Sequence, residues 1–178
     1  MAVLTEGRTA LPAGTWALDP VHSTVGFELP YMAGTFRGHF TDVDAKLTGD
    51  SLSGAARVAS VDVKDENLAA HLQSPEFFDV ERYPELTFVS DSIQRAGDEL
   101  RVRGAITIRG TTKPVELIGT IAGPITDGWG RERVNLRLET SVDRTEFGLN
   151  WNMPLPNGEP ALQNEVTLLA ELYFVQEA

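Results

Sequence analysis

Apolar and polar residues alternate one for one through most of this chain, and a period of two belongs to strands, not helices. In VHSTVGFEL, Val21, Val25, Phe27 and Leu29 share one face, and His22, Thr24 and Glu28 share the other. ELRVRGAITIR sets Leu100, Val102, Ile106 and Ile108 against Arg101, Arg103, Thr107 and Arg109. RVNLRLETSV sets Val134, Leu136, Leu138 and Val142 against Arg133, Asn135, Arg137 and Glu139. EVTLLAELYFV sets Val166, Leu168, Leu172 and Phe174 against Thr167, Glu171 and Tyr173. VELIGTIAGPI puts Val115, Leu117, Ile121 and Ile125 on one face, and ELTFVS adds Leu86 and Phe88. Strands that are wet on one side and dry on the other make an antiparallel sheet with a single buried face. About eight long strands fit a sheet closed into a barrel, which removes its edges.

Two stretches lose their phase. In GTFRGHFTDVDAKL, Phe36 and Phe40 are even-numbered, while Val43, Ala45 and Leu47 are odd; in AARVASVDV, Val58 gives way to Val61 and Val63. A slip of one residue inside a strand predicts a β-bulge that coils the sheet. Glycines 26, 38, 104 and 119 inside strands fit the same coiling or a close backbone approach. The expected fold class is therefore all-β: one antiparallel closed barrel of about eight strands.

One segment interrupts the alternation. In DENLAAHLQSPEFFDVERYPE, residues 65–85, ENLAAHLQ reads as a short helix or helical turn that Pro75 ends. Long connections in compact domains commonly serve as lids or binding loops. A second loop, NWNMPLPNGEPALQ (150–163), carries Trp151, Met153 and Leu155 among three prolines. The expected organisation is a flexible segment over 1–13 and a single domain over 14–178.

Composition narrows the function classes. The chain is 42% hydrophobic and 23% charged, as in ordinary globular proteins, which excludes disorder and coiled coil for the whole. A net charge of −11 repels nucleic-acid backbones and anionic lipid surfaces, so no nucleic-acid partner is expected. Without cysteine, disulfides, thiolate metal sites and thiol nucleophiles are excluded. No apolar run is long enough to span a bilayer as a helix, so no stable membrane insertion is expected. MAVLTEGRTALPAGT lacks the apolar core of a secretory leader, which gives a cytoplasmic expectation.

Catalytic constellations are sparse. His22 and Ser23 are adjacent and point to opposite faces of a regular strand, so they make no nucleophile–base pair, and no G-x-S-x-G elbow occurs. His39, Asp42 and Asp44 are the one candidate metal set, and would serve a metal-dependent hydrolase acting on a lipid or sugar phosphate. The aromatic residues point elsewhere. Phe77 and Phe78 in the long insertion and Trp151 in the Pro-rich loop lie where chains run over surfaces, and an eight-stranded barrel can be filled by side chains or can hold one small ligand. Small residues at interior positions (Ser23, Gly104, Gly119, Thr140 and Ala170) leave room for one.

WALDPVHSTVGFEL, GTFRGHFTDVDAKL, AAHLQSPEFFDVERYPELTF, GAITIRGTTKPVEL, TSVDRTEFGLNW and NEVTLLAEL together resemble, in order from about Gly14 to Phe174, the YceI family of polyisoprenoid-binding proteins. The resemblance implies a lipocalin-like antiparallel barrel that holds a long apolar ligand: a polyprenyl chain, a quinone tail or a fatty amide. Members commonly carry Arg-Asp-x-His-Leu before SPEFFDV; here Leu68 and Ala69 replace the Arg and Asp, so any contact made by that pair is missing. On this footing the chain is expected to bind, carry or sequester such a ligand without catalysis and without a cofactor. The expected walls are Phe27, Phe36, Phe77, Phe78, Phe88, Leu138, Phe147, Trp151 and Met153, and the expected polar head contacts are His22, His71, Arg109 and Asn152. The competing reading to the hydrolase and the carrier is a solid, ligand-free barrel acting as an interaction module, with the insertion as a homodimer contact along a long strand edge.

Overall fold

The structure, a computed structural model, describes residues 11–177. Its strands are β1 (Trp16–Leu18), β2 (Thr24–Tyr31), β3 (Gly34–Phe40), β4 (Val43–Leu47), β5 (Leu52–Arg57), β6 (Val61–Asp62), β7 (Glu85–Ala96), β8 (Glu99–Ile108), β9 (Thr111–Thr126), β10 (Glu132–Asp143) and β11 (Glu165–Gln176). Among the described residues there is one α-helix, α1, spanning Glu66–Gln73. All pairings are antiparallel.

Eight staves close the barrel, and three of them are broken strands. β11 pairs with β2 over Thr167–Glu171 and with β1 over Phe174–Gln176, so β1 and β2 together line one edge of it. β3 continues as β4, and β5 continues as β6, because β2 pairs β3, β1 pairs β4, β4 pairs β5 and β3 pairs β6. The remaining staves, β7 to β11, are unbroken antiparallel neighbours. Closure runs from β5 to β7 and from β11 to β1.

The expected bulges within GTFRGHFTDVDAKL and AARVASVDV are corrected by this arrangement. The first slip is a break at Thr41–Asp42, and the second is a single 3-10 turn, Val58–Ser60. Both breaks are pinned to each other: Thr41 N donates to Ser60 O and Arg57 N to Asp42 O. The true bulges lie elsewhere, where the register shifts between Ser90 and Ser92 on β7 and opposite Arg133–Asn135 on β9. The β9 bulge reverses the alternation, so Ile125, expected inward, is 67% exposed. Val21 is likewise outside its expected face, in the turn before β2, at 83% exposure.

The two ends of the barrel differ. The end away from α1 is plugged by Trp16, Leu47, Leu100, Val102, Ile121, Val134, Leu136 and Phe174, none more than 2% exposed. Of the N-terminal segment expected over 1–13, residues 1–10 lie outside the described residues. Leu11 is buried in this plug, and Trp16 Nε1 donates to Pro12 O and Ala13 O. At the other end β6 is only two residues long and pairs with β3 alone, so the sheet opens between β6 and β7. The insertion fills that gap, and Val58 N donating to Pro84 O stitches its far end to the rim. The long free edge expected beside the insertion is thus two residues of β6.

Candidate functional site

The insertion holds its shape through its own caps. Asp65 accepts the Leu68 amide at the start of α1, a standard N-cap. At its end Ser74 Oγ donates to His71 O, and the chain doubles back so that Phe78 N donates to Leu72 O and Asp79 N to Ser74 O. Asp79 adopts φ 56° and is buried. This hook turns both Phe77 and Phe78 towards the barrel interior. Phe78 meets Phe40 edge-on at 6.0 Å between centroids. Phe77, His71 and Trp151 form a mutual aromatic cluster with centroids 4.8–5.4 Å apart.

Beneath this cover lie two cavities. The upper one, about 250 Å³, is lined by Phe27, Phe36, Phe40, Phe77, Phe78, Phe147, Trp151 and a ring of Leu, Ile and Val side chains. The lower one, about 150 Å³, is lined by Leu18, Val25, Leu52, Phe88, Leu138, Ala170 and Leu172 among others. Phe40, Leu86, Ile108 and Leu168 belong to both walls and form the neck between them. Tyr31 and Leu68 line the upper cavity and are 40% and 36% exposed, so it reaches solvent between the end of β2 and α1.

Glycine makes room for the aromatic walls. A Cβ on Gly38 would stand 2.5 Å from Phe27 Cζ, and one on Gly104 would stand 2.7 Å from Phe88 Cζ, so each ring lies across a missing side chain.

The expected walls Phe27, Phe36, Phe77, Phe78, Phe147 and Trp151 converge on the upper cavity, and Phe88 and Leu138 on the lower. Met153 does not: it is 54% exposed on the outer side of the 150–163 loop, where a Pro154–Pro160 bridge folds the chain outward. Among the expected head contacts only His71 lines a cavity; its Nε2 lies 2.9 Å from Glu76 Oε1. His22 lies in the β1–β2 turn, where its Nδ1 meets Asp19 Oδ2 at 2.8 Å. Arg109 is a clamp. With Gly110 it forms a two-residue hairpin turn with both φ positive, and its guanidinium donates to Gly148 O and Pro75 O, tying the insertion to the turn after β10. Asn152 is committed to Leu162, accepting its amide and donating to its carbonyl, which sets the course of the Pro-rich loop. His39 faces Asp62 rather than Asp42 or Asp44, and among the described residues no three acidic or histidine side chains gather as metal ligands would.

One lining residue escaped the alternation altogether. Arg144 follows β10 in a short 3-10 turn (Arg144–Phe147), where a period of two no longer predicts facing. It is 5% exposed and lines the upper cavity. Its Nε donates to Gln163 O and its Nη1 to Leu149 O and Trp151 O. Burial holds its pKa below the ordinary arginine value, a shift the neighbouring Asp143 only partly offsets. The side chains bearing polar atoms in the upper lining are Tyr31, His71, Arg144 and Trp151, with no carboxylate among them. Such a surface suits a hydrocarbon.

A YceI-like domain model matches residues 16–174. The chain belongs to the YceI family. Protein YceI of Salmonella newport is 31% identical over 164 residues, covering 88% of this chain and 83% of that protein. Among solved structures, BcnA of Burkholderia cenocepacia superposes with a TM-score of 0.75 at 22% identity, over 88% of this chain and 98% of its own. A polyisoprenoid binding domain from Saccharophagus degradans implicated in plant cell wall breakdown superposes with a TM-score of 0.70 at 10% identity, over 91% and 98%. In this YceI chain Leu68 and Ala69, which replace the resembling motif's Arg-Asp, add apolar surface beside the mouth: Leu68 lines the upper cavity and Ala69 packs against the same core.

Proposed function

We propose that this YceI-family barrel binds and carries a single linear lipid, an isoprenoid or a chain of similar girth, with its tail threaded through the neck into the lower cavity. The supporting observation is the paired apolar chambers of about 250 and 150 Å³ under a cover of aromatic side chains, with a mouth between Tyr31 and α1. A dry cavity of about 150 Å³ accepts a benzene-sized guest, so the two chambers match a tail of about sixteen carbons. At about 0.8 kcal/mol per buried CH₂, sixteen carbons contribute on the order of 13 kcal/mol before the cost of ordering the chain. A bilayer offers the tail comparable apolar surroundings, so the barrel competes through shape and through the polar groups at its mouth. Catalysis is not part of this reading.

Native mass spectrometry of freshly purified protein, followed by organic extraction, tests the proposal. One amphiphile per chain is the expected result. Phe78→Asp, which places a charge against Phe40, is expected to abolish lipid co-purification while the far-ultraviolet circular dichroism stays β-like. Lipid retained by that variant at the wild-type level would remove the insertion from the ligand-binding account.

A further inference from the structure

We propose that Arg144 is an internal anchor for an anionic head, and that the ligand is a long-chain carboxylic acid whose carboxylate lies inside the upper cavity. The inference rests on the lipid-binding reading above and narrows it to a head-group class. Arg144 lines the cavity and is 5% exposed, yet its Nη2 has no hydrogen-bond partner. Its other two nitrogens are spent on three main-chain carbonyls, which fix the plane of the guanidinium, while the neighbouring Asp143 offsets its charge only in part. It forms no ion pair among the described residues. The carboxylate nearest in sequence, Asp143, accepts from the Thr145 amide and hydroxyl instead.

A buried charge that is only partly balanced is costly, and a ligand that completes the balance recovers part of that cost. The stoichiometry of charge selects the head. Among the described residues Arg144 is the one arginine or lysine in the upper lining, and His71, the other basic side chain there, is engaged by Glu76. One cation with one free nitrogen matches one monoanionic oxygen acid. A diphosphate would bring more negative charge and more acceptors than this wall has donors. The position also sets polarity along the tunnel. Arg144 sits beneath the 149–163 segment at the helix end, and the neck residues lie between it and the lower chamber, so the tail points towards Phe88 and Leu138.

The test compares palmitate with hexadecanol on delipidated full-length protein at pH 8, in wild type and in Arg144→Met. Wild type is expected to bind palmitate at least tenfold more tightly than hexadecanol, and Arg144→Met to bind the two within about twofold. Equal binding of acid and alcohol by wild type would overturn the anchor while leaving the lipid-binding reading intact; failure to bind either would remove both. Discrimination preserved in Arg144→Met would also overturn it. Because Arg144 braces three carbonyls, the variant can misfold. In that event palmitate carrying ¹³C at its carboxyl decides on the wild-type protein. A bound carboxyl that titrates below the free acid supports the anchor, and one that titrates above it refutes it.

Discussion

Ala170→Phe isolates the lower chamber. Ala170 lies on β11 between Leu138 of β10 and Val25 of β2, and its methyl group lines the cavity of about 150 Å³. The substitution adds one phenyl ring, and a cavity of about that volume is known to accommodate benzene. The ring would therefore occupy the space allotted to the last six or so carbons of the tail. Six carbons at about 0.8 kcal/mol each amount to about 5 kcal/mol. Chain ordering returns part of that, so the net loss for a sixteen-carbon ligand is expected at roughly one hundred- to one thousandfold in Kd. A ten-carbon ligand, which fills only the upper chamber, should lose nothing. The assay is a competition titration with saturated alcohols of increasing length. Wild-type affinity should rise up to about sixteen carbons, whereas the variant should level off near ten. The unfolding midpoint should hold or rise, because the ring fills a void instead of creating one. A full wild-type increment between ten and sixteen carbons in Ala170→Phe would refute the threaded-tail geometry.

Other outcomes follow from the same structure. Arg109→Met removes two charge-assisted bonds, to Gly148 O and Pro75 O, each worth about 1.5–3 kcal/mol; limited proteolysis should then cut within residues 74–84 first while the barrel survives. Trp16→Ala should cost about 3–5 kcal/mol in denaturant unfolding, because Trp16 is 1% exposed at the closed end. Acid should weaken the β9–β10 hairpin tip. Hydrogen bonds from Arg133 and from the Arg131 and Trp129 amides hold the Asp127 carboxyl well below the usual carboxylate range. Burial raises Asp19, but bonds from His22, Arg133 and the Val21 amide outweigh it and bring it below its ordinary value too. Both groups therefore stabilise the fold above about pH 4, and that contribution is lost as pH falls through their lowered values. Thermal melts between pH 5 and 2 should show a shallower decline for Asp127→Asn, and an unchanged slope would contradict the assignment.

Much of the wall was readable because alternation is local. Once a strand is regular, Phe27, Phe88 and Leu138 must share the face of their apolar neighbours, whatever the rest of the chain does. The short helical segment was equally legible, since its length and its stop at Pro75 lie within a few residues. The phase slips were visible, but their nature was not. A bulge and a broken strand shift the alternation alike, and only the pairing of β3 with β6 and of β4 with β5 distinguishes them.

Local pattern thus determined an antiparallel barrel, its apolar lining and the covering insertion. The polar chemistry of the site came from the tertiary structure, because a long side chain chooses its partner through space. His22, Arg109 and Asn152 had residue types suited to a head group, and the fold spent them on Asp19, on two loop carbonyls and on Leu162. Arg144 had no period to reveal it, and three carbonyls from residues 149, 151 and 163 carry its guanidinium into the wall. Whether the barrel is solid or hollow was decided in the same way. Strand patterning says which residues face inward, but the space left among them depends on how broken staves splay at one end and on where Trp16 and Phe174 fill the other.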